Sequence, residues 1–194
     1  MPRRRDILCA AAALALIRSP AMATAPAVID ALDRPAPLSS LGTRWEMIAD
    51  RVMGGVSTGR MTRETVAGRP AIRLTGEVSL ENNGGFLQIA LDLAPNGGTV
   101  DASGWTGIAL DVTGNGERYN LHLRTADVVR PWQSYRAGFE AGPEWRTVRL
   151  PFAGFEPHRI EAPLDLSRLR RLGIVAIGRA FRADIAVGGV RFYA

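Results

Sequence analysis

Few side chains in this sequence belong to the kinds that do covalent or acid–base chemistry. There are two histidines, His122 and His158, and a single cysteine, Cys9. Nucleophilic catalysis needs a nucleophile held by a base, and neither histidine has a sequence neighbour at triad or metal-ligand spacing. His122 falls on the polar side of the alternating run "YNLHLRT", together with Arg124, and His158 lies in "FEPHRIEAP". Both are read as surface histidines. No catalytic residue, metal ligand or cofactor is assigned. "GNGER" lacks the third glycine of a dinucleotide fingerprint and joins two strand-like runs instead of opening a helix. A carboxylate pair for glycoside hydrolysis stays open, because spacing in sequence does not place two acids across a bond.

Binding chemistry is better represented. "DRVMGGVSTGRM", residues 50 to 61, and "NNGGF", residues 82 to 86, each carry a Gly-Gly pair beside polar side chains. One reading is structural: Gly54 and Gly55 permit positive φ or close backbone approach, Asp50 and Asn83 bond backbone amides in turns, and Met53 and Phe86 fill the end of the core. The other is functional. Two such loops meeting at one rim would present Asp50, Arg51, Asn82 and Asn83, a bidentate donor with amides and a carboxylate suited to hydroxyls or a partner's backbone. Arg51 is then expected to be held by Asp50 or Glu81, and Trp45 or Trp132 to supply a flat apolar platform. The candidate binding set is Trp45, Asp50, Arg51, Met53, Asn82, Asn83, His122 and Arg124.

These residues must be positioned by strands. Leu87, Ile89, Leu91 and Leu93 alternate with Gln88, Ala90 and Asp92; Ile108, Leu110 and Val112 with Ala109, Asp111 and Thr113; Tyr119, Leu121 and Leu123 with Asn120, His122 and Arg124. Period-two runs broken by glycine and proline at roughly ten-residue spacing predict an all-β protein of two packed antiparallel sheets. "TGNGE" is read as a hairpin turn. Further strands are expected in "QSYRAGFE", "WRTVRLPF", "LGIVAIG" and "DIAVGGVRFY", and a single helical turn in "LDLSRLRRL" capped by Asp165 or Ser167. Helix is expected in less than about 15% of the chain after residue 43, well under the usual share.

A chain of 194 residues suits one domain. The division read from sequence is a signal peptide over 1–23, a Pro-, Ala- and Ser-rich extended lead-in over 24–43, and the folded domain over 44–194. The signal reading rests on "PRRRD", the eleven apolar residues "ILCAAAALALI" and the small-residue site "SPAMATA". Its Arg4-Arg5 pair resembles a twin-arginine export signal, with an ordinary secretory signal as the alternative, and a periplasmic location follows. Arg3, Arg4, Arg5 and Arg18 against Asp6 account for three of the net charge of +5, leaving +2. So small an excess gives no case for nucleic acid, and no stable membrane span is expected once the signal is removed. The exported portion has no cysteine, which excludes disulfides and thiolate chemistry.

"WEMIADRVMGGVSTG", "GEVSLENNGGF", "GIALDVTGNGERYNLHLRT" and "EWRTVRLPFAGF" together resemble the complex I intermediate-associated protein 30 family, over roughly residues 44 to 193. The resemblance implies a galactose-binding-domain-like jelly-roll β-sandwich, close in architecture to carbohydrate-binding modules and without established catalytic residues. Mitochondrial members assist assembly of respiratory complex I; the export signal sets this chain apart from a factor for the cytoplasm-facing arm. Related jelly rolls often hold calcium with an acidic residue of the last strand, where this sequence has Gly188 and Gly189, with Asp184 several residues earlier. The expected function is an exported, non-catalytic binding or assembly-factor domain with a protein partner. A carbohydrate-binding module for envelope glycans is the alternative, and a carboxylate hydrolase a third reading.

Overall fold

The computed structural model describes Ala25 and residues 27–194. The proposed signal peptide lies outside the described residues. In chain order the strands are Val28–Asp30 (β1), Trp45–Ala49 (β2), Thr58–Val66 (β3), Arg69–Val78 (β4), Phe86–Asp92 (β5) and Gly107–Gly114 (β6). There follow Glu117–Thr125 (β7), Ser134–Ala141 (β8), Arg146–Pro151 (β9), Glu156–His158 (β10), Leu169–Ile177 (β11) and Phe181–Tyr193 (β12). Helical structure among the described residues is confined to short 3-10 turns, and no helix is long and apolar enough to cross a membrane.

Two antiparallel sheets form. The first runs β3-β4-β12-β6-β9, with β1 pairing on β12 beyond the point where β4 stops; the second runs β10-β8-β7-β11-β5-β2. The alternation in sequence is the cause of the sandwich. Leu87, Ile89, Leu91, Ile108, Leu110, Val112, Tyr119, Leu121 and Leu123 all point between the sheets and are fully buried. Each such aliphatic side chain contributes about 1.5 to 3 kcal/mol by leaving water. Tyr119 brings a polar tip into this layer: its hydroxyl donates to Asn115 Oδ1 at 2.8 Å and accepts from the Asp184 amide at 2.9 Å.

Those same bonds explain a correction. "TGNGE" does not close a hairpin, because β6 lies in the first sheet and β7 in the second. The turn is a corner between sheets. Asn115 Nδ2 donates to the Arg182 carbonyl and Gly116 N to the Ala141 carbonyl, so the corner is anchored on strands remote in sequence. A true two-residue hairpin occurs instead at Ala67-Gly68, both with positive φ, between β3 and β4. The expected helical turn is a 3-10 turn at Leu166–Arg168, where Asp165 accepts from the Ser167 amide.

The described part of the 24–43 segment packs onto the sandwich. Ile29 of β1 is fully buried, and Asp30 accepts from the amides of Leu32 and Ser40 and from the Trp45 indole. Trp45 is thereby a core residue, 2% exposed with Nε1 2.7 Å from Asp30 Oδ2. It is no platform for a ligand.

Candidate functional site

The "DRVMGG" and "NNGGF" loops do meet, and one carboxylate joins them. Asp50 opens a 3-10 turn, Asp50–Met53, and its side chain is fully buried. Oδ1 accepts from the Ser57 amide at 3.0 Å, and Oδ2 accepts from Ser57 Oγ at 2.5 Å, Gly85 N at 2.6 Å and Phe86 N at 3.3 Å. Ser57 Oγ in turn accepts from the Ser79 amide at 2.9 Å. Burial alone would push the Asp50 carboxyl up, but these hydrogen bonds outweigh it and hold the group below its ordinary range. The glycines are required by proximity: a Cβ at Gly55 would lie 2.4 Å from Asp50 Cγ, and one at Gly84 would lie 2.5 Å from Oδ2.

Asp50 therefore has nothing left for Arg51, which the sequence reading paired with Asp50 or Glu81. Arg51 is exposed, and its side chain makes no hydrogen bond or ion pair among the described residues. Asn82 and Asn83 are exposed at positive φ, 55° and 58°, and serve the turn. None of the three lines the cleft on the second sheet.

The remaining candidates converge elsewhere. The second sheet turns one face to the core; its outer face carries a cleft of about 460 Å³, within the range of about 300 to 1,000 Å³ for small-molecule sites. Cross-strand register builds the floor. Arg136 of β8 lies opposite His122 of β7, His122 opposite Gly173 of β11, and Gly173 opposite Ala90 of β5. The neighbouring row carries Val175, Gln88 and Ile48. Because Gly173 has no side chain, Gln88 lies across it; a Cβ there would come within 2.3 Å of the Gln88 amide nitrogen. One wall is the 3-10 turn after β2, with Val52 75% and Met53 54% exposed, and the other is the β7–β8 loop with Pro131 and Trp132, the indole 48% exposed. Asp50 thus clamps the turn whose Val52 and Met53 edge the cleft.

His122 is not the surface histidine expected from alternation. It faces outward, but the cleft walls leave it only 8% exposed, and its Nε2 has no hydrogen-bond partner among the described residues. An unpartnered buried polar atom of this kind costs about 1 to 3 kcal/mol. Burial first, then the charges of Arg136, His158 and Arg124, push the imidazole down to about 3, so it is neutral at ordinary pH. Arg124 and Arg136 also line the cleft. Arg124 donates to the Arg130 carbonyl at 3.0 Å and Arg136 Nε to Ser134 Oγ at 3.0 Å, but neither meets a carboxylate among the described residues. Arg171 does: it pairs with Glu46 at 2.5 Å and Asp92 at 3.5 Å.

Arg136, Gln88 and Gly173 were not among the residues expected to bind. Alternation puts Gln88 on the polar face of its strand, yet nothing local pairs it with Gly173, 85 positions on in β11. No group of three or more histidine, cysteine or acidic side chains is placed to hold a metal among the described residues. Asp184, the acidic residue of the last strand several positions before Gly188 and Gly189, is engaged by Arg73 at 2.7 and 2.8 Å.

The geometry defines a galactose-binding-like jelly-roll sandwich with an open cleft on one sheet face. A family model for complex I intermediate-associated protein 30 matches residues 37–186, and the chain belongs to that family. A search of curated proteins by sequence finds no match. Among solved structures, the family 11 carbohydrate-binding module from Clostridium thermocellum, in complex with a β-1,3-1,4-mixed-linked tetrasaccharide, superposes with a TM-score of 0.66 at 13% identity, over 87% of this chain and 95% of that one. The family 30 carbohydrate-binding module of a Clostridium thermocellum cellulosomal cellulase gives 0.54 at 17% identity, over 88% and 94%. An exo-β-agarase gives 0.54 at 10% identity, over 86% of this chain and 25% of that one. At these identities the likeness is one of fold.

Proposed function

We propose that this protein is an exported, non-catalytic binding domain whose outer cleft on the second sheet takes a saccharide. The observation that carries the reading is the buried His122 ring nitrogen without a partner among the described residues, on the floor of a cleft edged by the exposed indole of Trp132. A sugar offers what each lacks: hydroxyls for the imidazole and the Gln88 amide, and a C–H face for the indole. Binding of glycans by sandwiches of the same fold supports the reading by analogy. Export rests on the sequence of residues 1–23.

The non-catalytic character is supported by the cleft's chemistry. No aspartate or glutamate lines it, and His122 is neutral without a carboxylate to orient it, so the acid–base pair of a glycosidase has no members there. A second reading, docking of a protein segment as in assembly, is favoured by the family match and by the apolar lips Val52 and Met53.

Calorimetric titration against a panel of neutral and acidic oligosaccharides separates the two. The saccharide reading expects at least one to bind, and Trp132→Ala to weaken it about tenfold, from loss of roughly 1.5 kcal/mol of aromatic contact. The thermal midpoint should stay unchanged, since the indole is half exposed. A panel without a single binder would leave the protein-docking reading in its place.

A further inference from the structure

We infer that the saccharide taken by the cleft is acidic, a uronate-type sugar whose ring carries a carboxylate. The inference deepens the saccharide reading and rests on it. Its basis is charge: Arg124, Arg136 and Arg171 line the cleft, and no acidic residue does. On the strand faces Arg73, Arg171 and Arg191 are each matched by a carboxylate, Asp184, Glu46 and Asp111 respectively. Arg124 and Arg136 are likewise half-withdrawn from water, yet no carboxylate pairs with either among the described residues.

Cationic groups drawn out of water without an anion repel one another and favour an incoming negative charge. Burial first, then the charges of Arg170 and Arg171, push the Arg124 guanidinium down, with Asp92 opposing them only in part, and burial followed by Arg159 does the same to Arg136. The two guanidinium-bearing residues flank His122. Arg136 stands directly opposite it, and Arg124 two positions along the same face of β7, the diagonal neighbour of Arg136. Diagonal neighbours in an antiparallel pair lie about 7 to 8 Å apart, close enough for two long side chains to converge on one carboxylate. A planar guanidinium fork matches a carboxylate bidentately, while the neutral ring nitrogen of His122 is left for a hydroxyl of the same sugar. Neutral saccharides would meet the indole and the imidazole but leave both forks without a counter-charge.

The test titrates the intact domain with three probes: a uronate oligosaccharide, a neutral oligosaccharide of the same length, and a phosphorylated sugar. The uronate is expected to bind at least tenfold more tightly than the neutral probe. That margin should shrink when ionic strength rises from about 0.05 to about 0.5 M, as partly exposed charges are screened. Arg124→Gln and Arg136→Gln should each lower uronate affinity by about 10- to 100-fold, a markedly larger loss than either causes for the neutral probe, with thermal unfolding of the same samples confirming the fold. Equal affinity for uronate and neutral probe, indifferent to salt and to both substitutions, would overturn the inference while the saccharide reading stood. Tighter binding of the phosphorylated sugar would overturn the carboxylate assignment, and failure of every probe to bind would overturn both.

Discussion

Asp50 shows how a residue that looks like binding chemistry can be spent wholly on the fold. Its carboxylate accepts from Ser57, Gly85 and Phe86, so Asp50→Ala strands buried amides and should cost on the order of 3 kcal/mol. For a chain of this size that is a fall of about 6 to 12 °C in the thermal midpoint. Arg51→Ala, by contrast, removes an exposed side chain without a partner and should change stability by less than about 0.5 kcal/mol, with saccharide affinity unaltered. His122 adds a pH signature. Its folded pKa, about 3, lies below the ordinary value of 6.5, so the unfolded chain takes up the proton first. The contribution is therefore fully present above pH 6.5 and is lost as pH falls toward 3, with a slope of roughly 1 kcal/mol per pH unit. Denaturant midpoints measured from about pH 7 to about pH 4, roughly the span of that titration, should fall more steeply for wild type than for His122→Gln, which has no imidazole to protonate. Parallel curves would show that the imidazole is not held neutral by its surroundings.

At the scale of elements, the strands were legible because their cause is local. Alternation alone marks Leu87, Ile89 and Leu91 as inward and Gln88, Ala90 and Asp92 as outward, and the structure follows it. Connections were less legible, since the residues that decide them are distant. Asn115-Gly116 has hairpin composition but makes a corner, because Arg182 and Ala141 receive its hydrogen bonds. Trp45 likewise depends on Asp30, in a stretch whose composition reads as a lead-in. The cleft floor is also a product of strand order: His122, Gly173 and Ala90 become one row only once β7, β11 and β5 are neighbours. Gly173→Val probes that row. The added methyls would displace the movable Gln88 amide and fill the space beside His122, so saccharide affinity should fall at least tenfold while the strand tolerates the β-branched residue. Unchanged affinity in a folded variant would place the ligand away from the β11 floor.

For the whole molecule, the two sheets divide the work. The first covers the core and matches its outward Arg73 and Arg191 to Asp184 and Asp111, while the second carries the cleft with Arg124 and Arg136 paired to no carboxylate among the described residues. The four tryptophans report on this division. Trp45, Trp105 and Trp145 donate their indole N–H groups internally, to Asp30, the Ala25 carbonyl and the Val66 carbonyl. Trp132 makes no such bond among the described residues and sits at the cleft. The most direct test is an amide and indole chemical-shift map recorded while the folded domain is titrated with a uronate oligosaccharide. The account predicts saturable shifts of the Trp132 indole and of the His122, Arg124 and Gly173 amides, with the indoles of Trp45, Trp105 and Trp145 unmoved. Shifts centred on the first sheet, or no shifts at saturating sugar, would contradict it.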